Sequence, residues 1–291
     1  MTTRVPAVNA APDTPVPFSA GTGAPRLTVP PLACDCHMHV YSDRYAAADN
    51  AALLPPDASL ADYRRLQRRL GTTRNVFVLP STYGVDNTSV LDAIATSNGE
   101  ARGIGVADRS LTPASLEKLD RGGMVGLRFN LVRAGANVLT DAKLLAPALA
   151  QRGWHAEFHV SGLNLADIAP TLAGLPCDVV LDHMGRMPFN EGTVQPAFRV
   201  LRELLDGDAF WVKLSGTYLD TQASVESVVE FGKALVEHRP DRLVWGSDWP
   251  HPAAKAIPDD AAQLDYLLDW APDPATRVSI LVDNPAQLYR F

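Results

Sequence analysis

The sequence predicts an α/β protein in which eight strand–helix units close into one (β/α)8 TIM-type barrel. Three observations carry that expectation. Short, mostly apolar runs alternate with longer segments of helical spacing from Ala33 to the end of the chain, the signature of repeated βα units around a parallel sheet. No glycine-rich phosphate turn follows the first run, where Cys36-His37-Met38-His39 stands instead, which disfavours an open dinucleotide-binding sheet. Histidines and carboxylates recur at the ends of the runs, where a barrel collects its chemistry.

The strands are expected at Ala33–His39, Asn75–Leu79, Ala101–Val106, Met124–Phe129, His155–Val160, Asp178–Asp182, Phe210–Leu214 and Leu243–Gly246. Helical spacing fills the intervals at Leu60–Leu70, Ser89–Ser97, Ala114–Leu119, Ala142–Arg152, Leu165–Leu172, Ala197–Leu205 and Val225–Glu237. Asp260–Trp270 and Pro274–Val282 then close the ring. Ser59 is placed to cap the first helix, and Thr112-Pro113 puts proline early in another, where its missing N–H costs nothing.

Composition narrows the function classes. The formal net charge of −7 argues against non-specific nucleic-acid binding, which needs clustered Lys and Arg. No apolar run is long enough to span a bilayer. Cys34, Cys36 and Cys177 form no even set and fall in expected buried strands, so a disulfide framework is not predicted. Unpaired thiols and the lack of a signal-like N-terminus point to the cytoplasm. Residues 1–30, rich in Pro, Ala, Thr and Gly, read as a flexible arm, a lid or a subunit contact, and residues 31–291 as the single barrel domain. A homo-oligomer is left open.

In Cys34-Asp35-Cys36-His37-Met38-His39, strand alternation sends Asp35, His37 and His39 to one face and the cysteines to the other. Two imidazoles so placed can grip a metal ion or a substrate oxygen, or can be hydrogen-bonded core residues. They gain weight from company: His159 ends the fifth strand, His183 follows the sixth and Asp248 the eighth, so all five are expected at one barrel mouth. Asp182 reads as a supporting carboxylate. Asp248 either caps its proline-stiffened turn or accepts a proton from water. Arg128, at the end of the fourth strand, requires an anion, either a substrate carboxylate or an internal Asp. Tyr83, Arg133, Ser215, Tyr218 and Trp249 are weaker candidates for substrate contact. No Gly-x-Ser-x-Gly elbow occurs, so activated water is expected rather than a covalent intermediate.

Four segments carry a family resemblance: His37-Met38-His39, Gly126-Leu127-Arg128-Phe129-Asn130, Asp182-His183-Met184-Gly185-Arg186 and Trp245-Gly246-Ser247-Asp248-Trp249-Pro250-His251-Pro252. Together they resemble the amidohydrolase-2 group of the amidohydrolase superfamily, which includes pyrone-dicarboxylate lactonases. The resemblance runs from about Pro31 to Leu288. It implies an amidohydrolase-like distorted barrel that hydrolyses a lactone ester, with the general base at Asp248 and the carbonyl-holding histidines at His37, His39 and His183. Pyrone-dicarboxylate lactonases carry arginines where this chain has Ala134 and Leu219, which implies a different lactone, muconolactone-type or derived from a sugar acid, with Arg128 holding one anionic group. His159 stands where a metal-independent lactonase has Tyr. With His37, His39, His183 and Asp248 it restores the ligand types of metal-dependent relatives, so the resemblance allows either no cofactor or one Zn²⁺ or Mn²⁺. Lactone isomerisation, metal-assisted decarboxylation and a non-catalytic small-acid binding protein remain alternatives.

Overall fold

The computed structural model describes residues 15–132 and 136–291. Eight parallel strands, β1 (Cys34–Met38), β2 (Arg74–Val78), β3 (Ala101–Gly105), β4 (Met124–Asn130), β5 (His155–His159), β6 (Val179–Leu181), β7 (Phe210–Leu214) and β8 (Leu243–Trp245), pair in chain order. The ring closes just beyond the strands: His39 N donates to the Trp249 carbonyl at 2.8 Å, and Asp248 N donates to the His37 carbonyl at 2.8 Å. The (β/α)8 barrel is therefore the observed architecture, with every expected strand within two residues of its place.

The outer helices are α1 (Leu60–Leu70), α2 (Thr88–Ala95), α3 (Pro113–Arg121), α4 (Ala136–Ala150), α5 (Leu165–Ala173), α6 (Pro196–Leu205), α7 (Val225–His238) and α8 (Asp260–Trp270). Local chemistry fixes their ends. Ser59 and Asp62 form a reciprocal capping box at α1, and Gly71 ends that helix with φ +85°. Thr112 accepts from Ser115 N with Pro113 behind it. α4 begins six residues before its expected start, because Asn137 and Thr140, poor helix formers, hide its first turns. The last expected helix is instead α9 (Pro274–Val278), a π-type turn over Ser279–Asp283 and α10 (Asn284–Tyr289).

Strand alternation fails at β1. Cys34 and Cys36 pack in one buried cluster with Val76, Val78, Ile104, Val125, Val180, Trp211 and Val244. Residues from seven of the eight strands can meet only inside the barrel, so both cysteines point inward, not away. The register of β1 on β2 shifts between Asp35 and Met38, and such a bulge lets consecutive residues share a face. His37 therefore also points inward. Asp35 leaves that face and accepts from Tyr63 of α1 at 3.0 Å and from Ser247 Oγ at 2.6 Å.

Of the expected arm, residues 15–30 lie against the barrel. Val16 and Leu27 are buried, Ala20 N donates to the Pro258 carbonyl at 2.9 Å, and Asp265 accepts from Arg26 N and Leu27 N. Arg69 of α1 reaches the Gly21 carbonyl at 2.9 Å. No helix among the described residues is long and apolar enough to cross a membrane.

Candidate active site

The C-terminal rim of the barrel gathers polar side chains from β1, β4, β5, β6, β7 and β8. Asp248 is the centre. Its Oδ1 lies 3.3 Å from His39 Nε2 and 3.6 Å from His37 Nε2, and its Oδ2 lies 3.8 Å from His183 Nε2. Tyr218 donates its hydroxyl to the same Oδ2 at 2.5 Å. His159 completes the rim, its ring 5.2 Å from that of His183. The five side chains expected to converge from the first strand to the last share one site.

The backbone there adopts conformations that ordinary side chains avoid. Asp248 has φ +63°, and the turn after β6 runs left-handed through His183, Met184, Gly185 and Arg186. Each non-glycine residue in that region costs roughly 1–2 kcal/mol, and such costs gather at functional sites. The turns re-aim side chains that a continuing strand would direct elsewhere. Gly246 lets the first and last strands approach: a Cβ there would stand 2.7 Å from His37 Cβ and 2.8 Å from His37 N. Gly246→Ala should lower stability by about 1–3 kcal/mol through overpacking and displace His37. Chemical denaturation and turnover measured together test this, and unchanged values in both would refute the close approach.

Beneath the rim lies a buried ionic layer. Lys213 Nζ is 2.5 Å from Glu157 Oε1 and 3.4 Å from Asp182 Oδ1. Arg128 Nε donates to Asp182 Oδ2 at 2.8 Å. Arg128 thus takes the internal-carboxylate alternative, while also bordering a 360 Å³ cavity with Phe129, Asn130, Ala107 and Asp108. Asp182 has the supporting position expected of it. Burial, its largest influence, works to raise the Asp182 carboxyl, but Lys213, Arg128 and His37 outweigh it and hold it well below the usual range.

The same competition sets the rim. Burial favours a protonated Asp248, yet His183, the hydrogen bond from His39 and the nearness of His37 hold its carboxyl well below the ordinary range. Burial first, then Lys213, pushes His37 well below its ordinary value. Burial and Arg128 do the same to His159, and burial lowers His183 despite Asp248. Burial and Asp248 drive the Tyr218 phenol upward, so it stays a donor. The rim therefore pairs one carboxylate with a phenol and with three imidazoles, His37, His159 and His183, that burial biases toward the neutral form.

The weaker candidates divide. Ser215 Oγ lies 2.9 Å from His183 Nδ1 and orients that ring. Tyr83 is not part of the cluster: its hydroxyl accepts from Ser42 N at 2.9 Å and donates to the Ser42 carbonyl at 3.1 Å, fixing the loop after β1. Trp249 is a correction as a substrate contact. It is fully buried, its indole N–H donates to the Pro17 carbonyl at 2.9 Å, and its ring packs on Phe18 and Tyr63. Neighbours in the turn leave on opposite sides, so Asp248 faces the mouth and Trp249 faces α1. Arg133 and Ala134 lie outside the described residues. Leu219 borders a 190 Å³ cavity with His183 and Arg186. The sequence reading missed Lys213, Glu157 and Arg186, whose Nη1 lies 3.4 Å from His159 Nε2. A lysine inside Phe210-Trp211-Val212-Lys213-Leu214 was a signal, since a buried lysine demands partners.

Two groups among the described residues offer donor atoms within 4.8 Å of one another, His37, His39 and Asp248, and His37, Asp182 and His183. His159 belongs to neither. A metal-binding imidazole presents one nitrogen to the ion and gives its other N–H to an acceptor. His39 suits this, with Nδ1 2.7 Å from the Val78 carbonyl. His37, common to both groups, does not: its Nδ1 meets the Lys213 ammonium at 3.1 Å, which has hydrogens to give and no lone pair. The residues fit a metal held through His37 poorly.

Residues 34–291 match the family described as Amidohydrolase. The chain is 33% identical over 286 residues to the 2-pyrone-4,6-dicarboxylate hydrolase of Comamonas testosteroni, covering 93% of this chain and 94% of the relative. It is 35% identical over 273 residues to the 4-sulfomuconolactone hydrolase of Rhizobium radiobacter, covering 90% and 91%. Among solved structures, a probable 2-pyrone-4,6-dicarboxylic acid hydrolase from Acinetobacter baumannii with citric acid bound superposes with a TM-score of 0.80 at 26% identity, over 89% of this chain and 100% of the other.

Proposed function

The chain belongs to the amidohydrolase family, and from that premise we propose that it hydrolyses a small carboxylated lactone with water activated by Asp248. The observation that carries this reading is the convergence of one carboxylate with His37, His39, His183 and Tyr218. Asp248 is ionised at neutral pH and so is always in the receiving form. It takes a proton from water as the water oxygen bonds to the lactone carbonyl carbon. The carbonyl oxygen gains negative charge, and imidazole N–H groups at the rim stabilise it in a site shielded from solvent. The ring C–O bond then breaks, Asp248 returns the proton to the departing ring oxygen, and the new carboxylic acid ionises. Tyr218 and Ser215 orient Asp248 and His183 during these steps. No step needs a divalent cation.

The substrate class follows from charge. Arg186 borders one cavity at the rim, where Leu219 leaves the β7 side apolar, and Arg128, already paired with Asp182, borders another. A lactone with one principal anionic group, muconolactone-type or derived from a sugar acid, suits this better than a dicarboxylate. The expected result of a pH-indicator screen over muconolactone, sulfomuconolactone, sugar-acid lactones and pyrone dicarboxylate is acid release from one of the first three classes. Binding without turnover would identify a receptor, and a new lactone without acid release an isomerase; either would overturn the hydrolytic reading.

A further inference from the structure

Lys213 sits midway along β7 with no side-chain exposure, and Glu157, Asp182 and His37 surround its ammonium. Two carboxylates lie within reach of it. An ammonium only donates, so its 3.1 Å bond to His37 Nδ1 requires that nitrogen to accept. Asp182 Oδ1 lies 3.3 Å from the same nitrogen and is the rival acceptor for a proton placed there. At the far side of the ring, Nε2 is buried and has no hydrogen-bond partner.

We propose that Lys213 is a positioning residue that fixes the tautomer of His37: by donating to Nδ1 it places the single imidazole proton on Nε2, where it faces the substrate carbonyl oxygen as a donor. The inference rests on, and deepens, the lactone-opening reading. It gives the unpartnered Nε2 a task, since an N–H without an acceptor is what a pre-built oxyanion site presents before substrate arrives. The neutrality of His37 follows from burial and from Lys213 itself. His39 is held the opposite way, with the Val78 carbonyl at its Nδ1, so the two histidines of one His-x-His motif have different tasks. The same tautomer leaves no lone pair at His37 Nε2 for a metal.

The test is a long-range ¹H–¹⁵N correlation spectrum of the histidine rings in the whole, uniformly labelled protein, with His37 assigned by its loss in His37→Gln. The expected spectrum has Nε2 among the protonated nitrogens and Nδ1 among the unprotonated ones. A His37 proton on Nδ1 overturns the proposal, and this decision needs no variant beyond the assignment. In Lys213→Met combined with Glu157→Gln, which removes the ion pair as a unit, the proton should move to Nδ1, where Asp182 accepts it. Turnover should then fall by about 10²- to 10³-fold, the loss typical of one oxyanion donor, with little change in KM. An unchanged tautomer in a folded double variant also overturns the proposal. The spectrum reads the same whether or not the protein opens lactones, so failure of the wider reading is seen separately, as absent acid release.

Discussion

Asp248→Asn should lower lactone turnover by about 10²- to 10⁴-fold, the range lost with a general acid–base, while the fold persists. The backbone permits this separation. Asp248 occupies the left-handed region at φ +63°, where asparagine is among the residues best tolerated. The bond from its backbone N–H to the His37 carbonyl is independent of the side chain, and an amide oxygen can still accept from Tyr218. What the amide lacks is the capacity to take a proton from water. Steady-state kinetics on the lactone identified by the screen, with circular dichroism and thermal melting as controls, measures both halves. Near-normal hydrolysis by a folded variant would reject Asp248 as the base.

Asp182→Asn should cost about 3–5 kcal/mol of stability, the usual penalty for removing one partner of a buried pair. Asp182 has no exposure, binds Arg128 Nε at 2.8 Å and stands 3.4 Å from Lys213. Its loss leaves two buried cations sharing Glu157. The effect should register in urea denaturation as a lower midpoint with an unchanged slope. A loss under about 1 kcal/mol would mean that water or movement of Arg128 relieves the unpaired charge, and the ionic layer would not then be a structural floor for the site.

The strands and the mouth were legible in the sequence because both are local. A parallel strand in a barrel is buried on both faces and reads as a short apolar run. Its terminus is marked where polarity interrupts it, as at His159, His183 and Asp248. The ionic layer was less legible, because Arg128, Glu157 and Lys213 come from β4, β5 and β7 and Asp182 follows β6, and only closure shows that two cations there face two carboxylates. The orientation of Cys34 and Cys36 was misread for a different reason. A period of two assumes an unbroken strand, and the bulge before Met38 breaks it. Trp249 was misplaced because adjacency to Asp248 in sequence says nothing about direction after a left-handed residue.

The segment from Pro15 to Gly21 has a bearing on how the protein is handled. The family match starts at residue 34, yet the Pro17 carbonyl receives the Trp249 indole N–H, and Phe18 meets the same ring edge-on at 5.8 Å. Trp249 immediately follows Asp248, and its carbonyl ties the last turn to β1. Trimming the chain at the boundary that sequence similarity marks would therefore unbuckle a strap fastened on the turn that carries Asp248. A recombinant fragment cut there would expose an indole to water one residue from Asp248.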